Sequence, residues 1–199
     1  MITKDSEEKL AQINELVIQA QSGDRVAFAS LYDHFYDRIY RYVMFKTSNS
    51  SEAEDLAEGV FLRMLEAIHT YKHQGVPFAA WLFRIAHNLV IDHHRKRSRE
   101  RLTPLDSAAQ IADKSHQGLD ERLDVGLAMV HVNQAMEGLT DLQREAITLR
   151  FAGGLSVQET ARAMGKKENA VKALQHAGIN KLRRILTAAA RPVEQYAAW

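Results

Sequence analysis

Apolar residues recur along most of this chain at intervals of three and four, the spacing of amphipathic helices rather than of strands. Residues 7–21 are periodic in this way and stop at Ser22-Gly23-Asp24. A longer helix is predicted over 25–46, with Phe28, Leu31, Tyr32, Phe35, Ile39, Tyr42 and Val43 on its apolar face. Thr47-Ser48-Asn49-Ser50 breaks it. Ser51 with Glu54 three residues on has the form of a capping box, opening a helix to about residue 71. The loop YKHQGVP follows over 71–77. The next helix starts at Phe78, carries the stripe Phe78, Leu82, Ile85 and Leu89, and ends at Thr103-Pro104.

From there to about residue 118 the sequence is small, polar and weakly periodic, the mark of a linker. A helix is predicted to resume near Leu119 and to reach Glu137. Thr140 with Gln143 forms a second capping box, for a helix to Phe151 that Gly153-Gly154 ends. Ser156 with Glu159 forms a third, for a short helix to Met164; Gly165 turns the chain, and a last helix runs over about 168–186. The fold class is therefore all-α: two helical domains, 1–102 and 131–190, joined by a flexible acidic linker over 103–130 and followed by a frayed tail, 191–199.

Composition narrows the class. Apolar residues make up 46% of the 199, enough to pack a core, and the absence of cysteine excludes disulfides, thiolate metal sites and thiol nucleophiles. No apolar run is long enough to span a membrane, and the start, MITKDSEEKLAQ, has no signal-peptide core. A soluble cytoplasmic protein without membrane insertion is the expectation. The net charge of +1 hides a segregated pattern. Residues 1–83 hold 8 basic and 12 acidic side chains, 84–101 hold 6 and 2, 103–130 hold 2 and 5, and 131–199 hold 10 and 6. Two separated basic fields on an acidic chain suit two contacts with a polyanion.

The first field lies on the helix that starts at Phe78. On another stripe run Arg84, Asn88, Asp92, Arg95 and Arg99, with Lys96 and Arg97 beside them. Trp81, spaced with Phe78, Leu82 and Ile85, belongs to the core more readily than to a stacking platform. The second field lies in 156–184, which has the pattern of a helix-turn-helix. Ala161 is the small residue where the helices touch and Gly165 the turn. Val171, Leu174, Gly178, Leu182 and Ile185 form the inner stripe of the second helix. Asn169, Lys172, Ala173, His176 and Asn180 face outward, where such helices meet base edges in the major groove. Lys166, Lys167, Lys172, Lys181, Arg183 and Arg184 suit phosphates, which position a protein without specifying sequence. Lys166 departs from the pattern, since the residue after the turn is usually apolar.

Four ordered segments, SGDRVAFASLYDHFYDRIYRYV, SEAEDLAEGVFLRMLEAI, FAAWLFRIAHNLVIDHHRKR and LTDLQREAITLRFAGGLSVQETARAMGKKENAVKALQHA, give the chain a family likeness over about residues 17–186. It resembles the two-domain, extracytoplasmic-function type of RNA polymerase sigma factor, in the bacterial sigma-70 family. The resemblance implies a sigma factor that binds core polymerase through clamp and flap, recognises and melts promoter DNA, and starts transcription. It implies no enzymatic activity and no cofactor.

The resemblance also implies roles for particular residues. Glu54, Asp55, Leu56, Glu58, Phe61 and Leu62 match the helix that grips the polymerase clamp, where an acidic, apolar-ridged surface suits a basic coiled coil. Arg84, Asn88, Asp92, Arg95, Lys96 and Arg97 match the element that melts and reads the minus-ten sequence. Strand opening needs cations for phosphates and a pocket for a flipped base, and the 71–77 loop lies where the family builds that pocket. Lys167, Asn169, Lys172, Ala173, His176, Asn180, Lys181 and Arg184 match the minus-thirty-five reader. An anti-sigma partner is implied too. The chain departs from the family at Glu58-Gly59, where Gln then an acid is usual, and at Ala177, where Arg is common.

Two other readings compete. A conventional helix-turn-helix regulator binding an operator as a dimer would explain 156–184 but not the basic helix after the 71–77 loop. A metal-dependent enzyme is prompted by His87, His93 and His94, of which His87 and His94 fall near one helix face. No HExxH, no acidic cluster and no cysteine completes such a site.

Overall fold

The computed structural model describes residues 4–73, 75–102 and 132–189, all helices and short connections. The expected linker, the helix start near Leu119 and the tail lie outside the described residues. Four long helices come first: α1 (Lys4–Gln21), α2 (Arg25–Thr47), α3 (Ser50–Ala67) and α4 (Phe78–Leu102). The second group is α5, described over 132–137, then α6 (Asp141–Ile147), α7 (Val157–Met164) and α8 (Glu168–Ala189).

The first group closes around fully buried Leu31, Phe35, Ile39 and Tyr42 of α2, Val60 and Met64 of α3, and Phe78, Leu82 and Phe83 of α4. These side chains recur at helical spacing, so each helix turns one continuous stripe inward. Ile85 and Leu89, expected in the α4 stripe, sit half-buried at its margin, while Phe83, Ala86 and Val90 are buried. Trp81 packs against Tyr71 and Phe78 with ring centroids 5.4 Å from each, within the core cluster.

The start of α3 differs from expectation. Ser51 and Glu54 do not cap it; Asn49 does, its side chain accepting from the Glu52 amide at 3.0 Å. Thr47-Ser48-Asn49-Ser50-Ser51 offers five adjacent residues of capping kind, and the left-handed turn at Ser48 (φ 54°) selects Asn49. The helix also ends earlier, at Ala67, and one 3-10 turn, Ile68–Thr70, leads to the loop.

In the second group the local signals hold. Thr140 and Ser156 both form complete capping boxes, with Gln143 and Glu159 reaching back to the cap amides. The helix expected to Phe151 changes at Thr148 into one π-wound turn, Thr148–Ala152, which leaves Phe151 exposed. Gly165 takes a left-handed conformation (φ 63°), and the Lys166 amide closes the turn on the Ala161 carbonyl at 2.8 Å. A small core of Met136, Leu139 and Ile147 packs under Ile179 and Leu182 of α8. The groups also meet: Leu149 and Leu155 of the second are buried in the core cluster of the first.

Candidate polymerase and nucleic-acid interfaces

α3 carries the acidic surface. Ala53, Ala57, Val60, Phe61 and Met64 turn inward, which leaves Glu54, Asp55 and Glu58 exposed, with Leu62 (59% exposed) and Leu65 (56%) as an apolar ridge beside them. Leu56 is half-buried against the core. Phe61 is not part of this surface: it is 3% exposed, its ring 4.5 Å from Tyr32 and 6.1 Å from Tyr36. The resemblance put it with the clamp-facing residues, but here the Tyr32–Tyr36–Tyr40 row of α2 covers it. Burial, and then the Glu58 and Asp33 carboxylates, push the Tyr32 phenol up. The acids of α3 thus cast their field over the tyrosine row as well.

α4 presents the first basic surface. Its entry is fixed by Tyr71, whose hydroxyl donates to the Val76 carbonyl at 2.8 Å across the loop. Gln21 of α1 holds the Ile68 and Tyr71 carbonyls, each at 2.8 Å. The loop is therefore anchored at the start of α4, about 15 Å along the axis from Asn88 at 1.5 Å per residue. Arg84, Asn88, Asp92, Arg95 and Lys96 are all exposed, as the spacing predicted. Arg95 lies 3.7 Å from Asp92, both well in solvent, a pair too weak to hold the guanidinium back from a phosphate. Arg97 is different. It donates to both Glu52 carboxylate oxygens, at 2.7 and 3.0 Å, and His93 shares the same acid at 3.0 Å. That knot ties α4 to the start of α3, so Arg97 orders the basic helix before it offers any charge to DNA.

The histidines are accordingly split. His87 points to Tyr42 and Glu145, and His93 to Glu52. Burial, then neighbouring His93, pushes the His94 imidazole below its ordinary value. Among the described residues no group of three or more metal-ligating side chains comes together, and no described helix is long and apolar enough to cross a membrane.

α7 and α8 form the second basic surface. Val171 and Gly178 are buried and Leu174, Leu182 and Ile185 half-buried. Gly178 lets α8 come close to α6: a Cβ there would lie 2.5 Å from Ile147 Cδ1, so that side chain would have to shift. With that stripe turned in, Lys167, Asn169, Lys172, Ala173, His176 and Arg184 are exposed and Asn180 and Lys181 half-exposed. Asn180 lies 3.2 Å from the His176 ring, one turn away. Arg150 braces the pair, donating to Gln175 of α8 at 3.0 Å and to the Leu155 carbonyl.

Residues 31–100 match Sigma-70 region 2, and residues 131–182 match Sigma-70, region 4. The ECF RNA polymerase sigma factor BldN of Streptomyces coelicolor is 41% identical over 181 residues, covering 91% of this chain and 68% of its own. The chain belongs to the ECF RNA polymerase sigma factors. SigX of Bacillus subtilis, of the same family, is 32% identical over 79% of this chain and 82% of its own. The fold agrees with that of CnrH, solved in complex with the cytosolic domain of CnrY, at a TM-score of 0.67 over 89% of this chain and 98% of that one, with 24% identity. As a sigma factor it directs promoter recognition and the start of transcription by RNA polymerase.

The structure adds pairings that spacing did not show. Arg38, Tyr42 and Lys46 of α2 and Arg84 and His87 of α4 all face the second group. Glu145, on α6, is 8% exposed. It accepts from the Tyr42 hydroxyl at 2.8 Å, lies 3.2 Å from His87 Nδ1 and forms an ion pair with Lys46. Burial alone would raise its carboxyl. The His87 contact and the Lys46 charge outweigh burial and hold it at about 2. Burial, and then the same carboxylate, push the Tyr42 phenol well up. These partners are about 60 to 100 positions apart in sequence, beyond the reach of any local pattern.

Proposed function

We propose that the three surfaces divide the work of initiation. The exposed acids and leucine ridge of α3 dock on the polymerase clamp, and the second group meets the flap. Arg84, Asn88, Asp92, Arg95 and Lys96 open the minus-ten element and hold its unpaired strand, with Arg97 setting the helix that carries them. Lys167, Asn169, Lys172, Ala173, His176 and Asn180 read the minus-thirty-five duplex, with Lys181 and Arg184 on phosphates. The protein does no chemistry of its own; polymerase does. It works in the cytoplasm, and an anti-sigma factor, such as the NepR found with RpoE of Bartonella quintana, is its expected regulator.

One observation carries this reading. A folded polar stripe with exposed cations runs the length of α4, on a helix anchored at both ends, while a helix-turn-helix presents a separate basic face. An operator-binding dimer needs only the second.

The test is run-off transcription with core polymerase on genomic fragments, which also yields the promoter. The triple variant Asn88→Ala, Asp92→Ala, Arg95→Ala spares Arg84, whose donors are engaged elsewhere. It should bind core polymerase as wild type does and lose open complexes by about a hundredfold, the loss of roughly three contacts of 1 kcal/mol or so. Open complexes at the wild-type level would remove this role from α4.

A further inference from the structure

Tyrosine is placed in two ways in the first group. Tyr42 and Tyr71 are buried, and their hydroxyls donate inside the protein, to Glu145 and to the Val76 carbonyl, each at 2.8 Å. Tyr32, Tyr36 and Tyr40 recur at every fourth position of α2 and are only half-buried. Their rings form a row, with centroids 5.0 and 6.3 Å apart and planes within 26° and 15° of parallel. Face-to-face contact brings rings to about 3.5–4 Å, so these are staggered and part of each face stays open. Phe61 of α3 backs the row, its ring 4.5 Å from Tyr32 and 6.1 Å from Tyr36.

The surroundings of the row are acidic. Glu54 and Glu58 of α3 stand beside it, and Asp33 and Asp37 follow two of the tyrosines on α2; all four acids are exposed. Burial, then Tyr32, then the Glu54 and Glu58 carboxylates push the Tyr36 phenol up, so the acids lie near enough to act on the rings. A row of open π-faces bordered by carboxylates attracts a cation twice, through the ring quadrupole and through the charge. It repels the phosphates of an unpaired strand, the other common occupant of stacked rings. Arginine suits both halves, since its planar guanidinium stacks on an aromatic face and forks onto a carboxylate, which a lysine ammonium does not. The spacing suits a helix as the carrier. Side chains one turn apart on a partner helix repeat at about 5.4 Å, between the two ring spacings.

We propose that Tyr32, Tyr36 and Tyr40, with Glu54 and Glu58 beside them, form an arginine-binding row that carries the polymerase-docking surface from α3 across to α2. Guanidinium groups on a basic helix of the clamp lie over the open ring faces and pair with the two acids. The row adjoins the exposed acids of α3 and so enlarges one docking surface rather than adding a separate one. Phe61 then has a part in docking without touching the partner: it lies under the rings and supports them.

The inference rests on the clamp role proposed for α3, and the experiment separates the two. Affinity of the full-length protein for core polymerase is measured without DNA. Tyr36→Leu and Tyr40→Leu keep apolar bulk and lose the π-face, and each should weaken binding about fivefold. Tyr36→Phe and Tyr40→Phe keep the face and should stay within about twofold of wild type. Tyr40 is at the end of the row, so its variants keep the test decisive should Tyr36→Leu disturb the fold. Glu58→Gln should cost less on a Tyr36→Leu background than alone, because both residues hold one cation. Full affinity in both leucine variants, with a loss in Glu58→Gln, overturns the tyrosine row and leaves the clamp role of α3 standing. Full affinity in these variants and in Glu54→Gln breaks the clamp role itself. Equal losses in the phenylalanine and leucine variants would put the contact on the hydroxyls and overturn the stacking of cations. Full affinity for core with weaker open complexes would give the row to DNA, and overturns the inference as well.

Discussion

The two helical groups of this sigma factor are stabilised by different means. α1 to α4 bury a continuous set of large side chains, among them Phe35, Tyr42, Phe78 and Phe83, each at most 1% exposed. α5 to α8 bury few large side chains and rely on local chemistry: two complete capping boxes, a left-handed glycine turn and a glycine under Ile147. The difference bears on function. On the roles proposed above, the first group must keep α4 rigid while a duplex is forced open against it. On the same proposal the second has only to present one helix to a preformed groove, and a short cap-defined scaffold suffices.

The comparison is broken most forcefully in the first group. Phe35 is 1% exposed and packs 5.6 Å from Phe78. Phe35→Ala removes a ring from a dense core and should cost about 3–5 kcal/mol, read as the loss of the main denaturant transition. If the loss were under about 1 kcal/mol, burial would not be what holds α1 to α4. The second group should respond on a smaller scale. Ser156→Ala removes the acceptor for the Glu159 amide, 3.1 Å away, and the box that closes back on Ser156. The expected cost is about 1 kcal/mol. It should appear first as faster amide exchange across the start of α7, with α4 unchanged.

How much could be read from sequence follows the same division. Capping boxes at Thr140 and Ser156, the turn at Gly165 and the outward face of α8 are set by residues within one or two turns of each other, and all were legible. The α4 polar stripe was legible for the same reason. The cap at Asn49 was not, because several adjacent residues could serve and the path of the chain out of α2 decides among them. The burial of Phe61 was not legible, because a match to a family segment does not say how wide the buried face is, and the tyrosine row of α2 widens it. The seam was invisible altogether. Glu145 reads as one acid in a polar turn, and only the packing of α6 on α2 and α4 makes it a buried anion with three partners.

The smallest prediction concerns the residue where the first group departs from its own rule. Gly59 lies inside α3, in a group otherwise built by burial, and nothing in the fold requires it. A Cβ there would meet only Leu89 Cδ1, at an ordinary 3.9 Å. Gly178 in the second group is the opposite case, with no room to spare. Gly59→Ala should therefore stabilise the protein by about 0.5–1 kcal/mol, by restricting the unfolded chain and adding a methyl at the α3–α4 contact. A rise in melting temperature of a few degrees would register it. Because Gly59 follows Glu58 on the helix proposed to meet the clamp, the same variant asks whether the glycine serves docking. Stability gained with polymerase affinity unchanged would mark Gly59 as a tolerated gap in the helix. Stability gained with affinity lost would mean that α3 must bend to seat on the clamp, and rigidity would then not be the rule for the whole first group.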